Sequence, residues 1–138
     1  MPSRRKAREL ALQMLFQWDL GGHSPAEVTQ TFLSPRKLDP ETARFAQELF
    51  EGAVREAESL DTRVRSQSQH WRLERMAAVD RNILRLALYE LLHIAESPPA
   101  VVINEALELA RRFSTADSVE FVNGILDSVR KASAAAQS

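Results

Sequence analysis

Cysteine is absent from the 138 residues, so disulfides, thiol catalysis and cysteine-based zinc sites are excluded. Long apolar runs are absent too. The longest stretch free of Asp, Glu, Lys and Arg is the nine residues Leu10 to Trp18, whereas a membrane-spanning helix needs about 20. Glycine occurs four times, and no segment alternates Val, Ile and Thr with polar residues. Strands and a glycine-rich phosphate loop are therefore not expected. No Gly-x-Ser-x-Gly elbow occurs. His23, His70 and His93 stand far apart without ligand spacing, so neither a metal nor a cofactor is expected. The carboxylates Glu105 and Glu108 are helix neighbours whose default role is surface solvation. Nothing in the sequence asks for an enzyme.

Apolar residues make up 44% of the chain, enough for one core in a single ordinary domain. The start, Arg4-Arg5-Lys6 before an apolar run, faintly resembles a signal peptide. Glu9, Gln13 and Gln17 interrupt that run and no cleavage site follows, so a cytoplasmic protein with a mature N-terminus is expected. The net charge of −1 hides an asymmetry. Residues 1–8 carry Arg4, Arg5, Lys6 and Arg8 and no acid, residues 9–61 are strongly acidic, and the remainder is nearly balanced. A local basic patch is enough to attract phosphate, whatever the total.

Proline, glycine and capping residues divide the chain into helices. Ser3 caps a first helix from Arg4 to Leu20, stopped by Gly21-Gly22. Ser24-Pro25 opens a second, to Leu33. Asp39-Pro40-Glu41 starts a third, to Ser59, and a fourth covers Leu60 to Ser68. Residues 66–72 read as a bend and Leu73 to Met76 as a turn. A long helix follows from Ala78 to Ala95. It is apolar on most sides and so covered on most sides. Ser97-Pro98-Pro99 breaks the chain before a helix from Ala100 to Phe113. The last helix runs from Ala116 to Lys131, with an inward stripe of Val119, Val122, Ile125, Leu126 and Val129. The expected organisation is one helical domain over 1–131 and a flexible tail over 132–138.

The first helix departs from a plain amphipathic pattern. At 100° per residue, Ala7, Leu10, Ala11, Met14, Leu15 and Trp18 share one face, which docks on the core. Arg5, Arg8, Leu12 and Phe16 fall on the other side. Arginines in line with an aromatic ring suit single-stranded nucleic acid: guanidinium groups meet phosphates and the ring stacks on an unpaired base. The alternative is that Leu12 and Phe16 pack on a neighbouring helix while the arginines solvate the end. In the segment Ser114 to Ser118, capping suffices to explain the polar residues. Phe113 and Phe121 flank it. Core packing and a protein contact both remain open for Phe121.

Four ordered motifs carry a resemblance. They are Arg4-Arg5-Lys6-Ala7-Arg8-Glu9-Leu10-Ala11-Leu12-Gln13-Met14-Leu15-Phe16-Gln17-Trp18, Val79-Asp80-Arg81-Asn82-Ile83-Leu84-Arg85-Leu86-Ala87-Leu88-Tyr89-Glu90-Leu91, Ile103-Asn104-Glu105-Ala106-Leu107-Glu108-Leu109-Ala110 and Phe121-Val122-Asn123-Gly124-Ile125-Leu126-Asp127. In order and spacing the chain resembles the NusB family of transcription antitermination factors. The resemblance implies an all-α fold of about seven helices in two small packed bundles. It implies a non-enzymatic protein that binds single-stranded boxA RNA of nascent ribosomal transcripts together with NusE, a ribosomal small-subunit protein, and joins an antitermination complex on RNA polymerase. A helical protein-interaction module, whose basic helix binds a protein instead of RNA, is the alternative.

Carried over by position, the resemblance assigns RNA contacts to Arg4, Arg5, Lys6, Arg8 and Gln13, with Phe16 as the stacking ring. It places NusE-facing groups at Glu74, Asp80, Asp117 and Phe121. The chain departs from the family's Asp-Ser-His-Lys-Phe at Asp117-Ser118-Val119-Glu120-Phe121, losing a basic residue at Glu120. Monomer and homodimer are both represented in the family.

Overall fold

The computed structural model describes residues 1–68 and 75–137, with side chains described up to Ala134. Among these residues there are seven helices and no strand: α1 Arg4–Gly21, α2 Pro25–Leu33, α3 Pro40–Arg55, α4 Ala57–Gln67, α5 Ala78–His93, α6 Pro99–Phe113 and α7 Ala116–Gln137. Helices α1, α2 and α3 pack on one another, as do α4, α5, α6 and α7, and α5 also faces α1 and α3. This is the expected pair of small bundles joined through a central helix.

The caps act as the sequence suggests. Ser3 Oγ accepts from the Lys6 amide, Ser24 Oγ from the Glu27 amide and Asp39 Oδ1 from the Glu41 amide, each satisfying a donor that the first helical turn leaves over. Pro25 and Pro40 occupy first-turn positions, where the missing N–H costs nothing. Gly22 ends α1 in the left-handed region at φ 71°, a conformation that a Cβ would penalise. Thr115 caps α7, its Oγ1 accepting from the Ser118 amide.

Helix boundaries differ from the sequence reading by more than one residue in three regions. The third helix ends at Arg55 instead of Ser59, and α4 begins at Ala57. The break at Glu56 lets Leu49 and Ala53 bury on one side while Leu60 and Val64 bury on another. The central helix stops at His93, because Ile94 is extended and buried. That turn brings Ser97 back to donate to Glu90 Oε2 at 2.6 Å. The last helix continues through 132–137, where a tail was expected; the alanines of that segment favour helix. Of the bend expected over 66–72 and the turn expected over 73–76, positions 69–74 lie outside the described residues, while Ser66 and Gln67 still belong to α4.

The core is one continuous cluster, with Leu10, Met14, Leu15, Leu49, Phe50, Ile83, Leu84, Leu88 and Leu126 at its centre. Helix α5 is buried from Asn82 to Glu90 without interruption, as its nearly all-round apolar surface requires. Gly52 lets α3 approach α5 closely. A Cβ there would stand 2.0 Å from the Tyr89 ring, so the position excludes any side chain.

Buried and half-buried charges pin the bundles together. Arg85 forks onto Asp61 of α4 at 2.8 Å through both Nε and Nη2, and stands 3.3 Å from Asp19 of α1. Arg81 donates to Asp19 Oδ2 from Nε at 2.9 Å and Nη2 at 2.6 Å, and Asn82 donates to the same oxygen at 3.1 Å. Burial pushes the Asp19 carboxyl upward and is the largest single influence on it. The Arg81 hydrogen bonds, the Arg85 charge and the Asn82 amide together outweigh it and hold Asp19 below the ordinary carboxylate range. Burial likewise disfavours the Arg85 charge, and the Asp61 and Asp19 carboxylates more than restore it, raising its pKa.

Candidate nucleic-acid interface

The basic end of α1 is set by its neighbours. Arg4, Arg5 and Lys6 are exposed. The Arg4 guanidinium lies 4.1 Å from the centre of the Phe45 ring, a cation–π contact. Arg5 lies across a seam to α6, donating to Glu105 from Nε at 3.2 Å and from Nη2 at 3.1 Å. The Glu105 hydrogen bond, then its charge, raises the Arg5 pKa further above its ordinary value, so this cation is permanent at any working pH.

Arg8 departs from the expected stripe. It is only 6% exposed. Its Nε and Nη2 fork onto Glu90 at 2.8 and 2.6 Å, and Glu90 is 1% exposed. Arg8 is therefore an internal tie between α1 and α5, and its donors face a carboxylate in the core. Leu12 is buried as well. The angular pattern put both on the side away from the core, with packing on a neighbouring helix as the alternative for Leu12, and Leu12 is packed. Helix α1 is instead covered by α3 on one side and α5 on another, so a single open face is narrower than a 100° projection suggests.

Phe16 remains outward, 38% exposed. It lines an apolar cleft of about 430 Å³ with Leu12, Phe32, Val79 and Phe113, rimmed by Gln13 and Gln17. Gln13 and Gln17 are exposed, so their amides can donate and accept at the cleft mouth. Thus the structure brings Gln13 and Phe16 together and separates both from Arg8. Phe113 was readable only as a residue near a helix end. Its part in the cleft depends on α6 lying beside α1, which no local pattern encodes.

The partner-facing residues divide similarly. A second hollow, about 240 Å³, is lined by Met76, Ala77, Asp80, Thr115, Asp117, Ser118 and Phe121. Asp117 is exposed and Phe121 half-buried at its edge. Asp80 is buried, with Oδ1 accepting from Ser114 at 2.6 Å and Oδ2 from Ser118 at 2.7 Å. Both of its oxygens thus serve the junction of α5 with the α6–α7 turn, in contrast to the partner-facing acid expected there. Glu74 lies outside the described residues. Among the described residues no cluster of His, Cys, Asp and Glu could hold a metal, and no helix is long and apolar enough to cross a membrane.

Residues 5–131 match the model of the NusB family. The chain belongs to the NusB family. Membership makes it a NusB-type transcription antitermination factor. A curated transcription antitermination protein NusB of Koribacter versatilis is 53% identical over 130 residues, covering 94% of this chain and 89% of the relative. Among solved structures, NusB of T. maritima superposes with a TM-score of 0.88 at 34% identity, over 95% of this chain and 93% of that one. A chain in the crystal structure of antitermination factors NusB and NusE in complex with dsRNA superposes with a TM-score of 0.84 at 29% identity, over 94% and 96% of the two chains. The NusB fold is therefore matched along nearly the whole chain.

Proposed function

We propose that this chain binds single-stranded boxA RNA of nascent ribosomal transcripts together with a NusE-type ribosomal small-subunit protein. In this reading it acts as a cytoplasmic adaptor in the antitermination complex on RNA polymerase. The observation that carries the reading is the composition of the open part of α1. Three exposed cations, Arg4, Arg5 and Lys6, share that helix with the exposed Phe16 ring. At 1.5 Å per residue, Arg4 and Phe16 stand about 18 Å apart along the axis, a span suited to a short extended strand. The cations neutralise phosphates, Phe16 stacks on an unpaired base, and the Gln13 and Gln17 amides address its edge. The solved assembly of NusB and NusE with dsRNA supports pairing RNA with NusE.

Asp117 and Phe121, beside the second hollow, form the NusE-facing surface. RNA then touches both proteins at once, so each strengthens the other's binding by the same factor.

Fluorescence anisotropy with labelled single-stranded boxA RNA, a scrambled strand and a duplex, with and without the NusE-type protein, tests the reading. Tighter binding to boxA, strengthened by the partner, is expected. Each phosphate contact adds about −0.7 to the log–log salt slope for a single strand, so the three α1 cations predict at least about −2.1. Equal, weak binding to every RNA, unmoved by the partner, would favour a protein-interaction module.

A further inference from the structure

The seam between α1 and α6 exchanges charge in both directions. Arg5 of α1 forks onto Glu105 of α6. One turn further along, Glu9 of α1 accepts from Arg112 of α6. These four side chains, with Glu108 and Leu109, surround a small pit. Exposure is divided the same way in both rungs. The Glu105 and Glu9 side chains are 19% and 14% exposed, whereas Arg5 and Arg112 are 64% and 50% exposed. The acids are seated low and the guanidinium groups lie over them, open to solvent. The Arg112 guanidinium is also 5.1 Å from the Phe113 ring, at the cleft that holds Phe16. On α6, therefore, a cation stands directly beside an outward ring.

A guanidinium presents the same fork to a carboxylate and to a phosphate. Exposed ion pairs of this kind contribute little to stability, so the rungs can open at small cost to the fold. We infer that the α1–α6 seam is a phosphate-exchange track, in which Arg112 is an RNA-phosphate ligand from a second helix while Glu105 and Glu9 hold Arg5 and Arg112 as internal stand-ins until RNA phosphates replace them. The inference rests on the RNA reading above. Arg112 makes good the cation that Arg8 withdraws into the core. The glutamates stay beside the phosphates after exchange and repel them, so they hold affinity below what the arginines alone would give. A polyanion that contacts only one rung gains little against that repulsion.

The test uses the full chain and labelled single-stranded boxA RNA, titrated at several salt concentrations, with thermal melts confirming that each variant is folded. Glu105→Gln keeps the shape and removes the charge. It should tighten binding about threefold to tenfold, and Arg5→Ala combined with Glu105→Gln should show no such gain over Arg5→Ala alone. Arg112→Gln should weaken binding and make the salt slope shallower by about 0.7. A Glu105→Gln variant that binds more weakly would make Glu105 a support for Arg5 and overturn the exchange. An unchanged slope in Arg112→Gln would remove Arg112 from the RNA surface. Arg4→Ala with Lys6→Ala separates the two levels. If that pair loses affinity while the seam variants behave as wild type, the exchange fails and the RNA reading stands. If wild type shows no salt-dependent RNA binding, the RNA reading fails and the exchange fails with it.

Discussion

Arg5 and Arg8 stand three residues apart on one helix, and each forks onto a glutamate. Their surroundings make them different groups. The Arg8–Glu90 pair is enclosed, shares its acid with Ser97, and ties α1 to α5 and to the turn after α5. The Arg5–Glu105 pair lies on the surface with the guanidinium largely in water. Breaking the first leaves an uncompensated charge in a low-dielectric interior; breaking the second leaves two hydrated ions. Identical residue types with matching partners therefore divide between holding the fold and meeting a ligand. Burial decides which does which.

The comparison can be broken at its strongest point. Arg8→Ala should destabilise the fold by about 3–5 kcal/mol, because Glu90 is left buried without its partner; urea unfolding measures it. A loss below about 1 kcal/mol would mean that the interior pair is dispensable and that the two arginines differ less than their burial implies.

A second prediction extends the interior class to Asp19. Its folded pKa is depressed, so its contribution is full above the unfolded carboxylate value of about 3.9 and is lost as pH falls through the lower folded value. Asp19→Asn should cost about 1.5–3 kcal/mol at neutral pH and flatten the loss of stability below about pH 4. Denaturation curves collected from pH 7 downward check this. Parallel acid profiles for wild type and variant would place the acid sensitivity elsewhere.

On the exterior, Phe16→Ala should weaken binding of single-stranded RNA by about 1–3 kcal/mol while leaving the melting temperature nearly unchanged. Full retention of RNA affinity would take stacking out of the mechanism. The smallest expected effect sharpens the contrast most. Arg5→Ala should change stability by no more than about 0.5 kcal/mol, against the several kcal/mol expected for Arg8→Ala. Asp117→Ala should lower affinity for the NusE-type protein more than affinity for RNA alone, measured by calorimetry with each ligand. Equal losses would merge the two surfaces.

Much of the fold was legible because helices are local. Ser3, Ser24-Pro25 and Asp39-Pro40 mark helix starts through hydrogen bonds made within one turn. The apolar surround of α5 announced its central place. Where the reading stopped short, the cause was non-local. Glu56 interrupts the expected helix where α3, packed on α1 and α5, gives way to α4, packed on α5 and α7. The ordered motifs placed the chain in its family through residues that include Asp80 and Arg8. They did not show that Asp80 is held by Ser114 and Ser118, or that Arg8 points inward.

The sequence by itself determined the helical class, the helix starts, the absence of thiol chemistry and the basic opening segment. Each of these depends on residue identity or on interactions within a few positions. Only the tertiary structure decided which cations are open, because exposure depends on what other helices cover. Glu90 and Ser97 lie 82 and 89 positions beyond Arg8 in the chain, and Glu105 lies 100 positions beyond Arg5. No periodicity within α1 contains those distances. The packing of α5 and α6 against it sorted one basic stripe into an internal tie and an open surface.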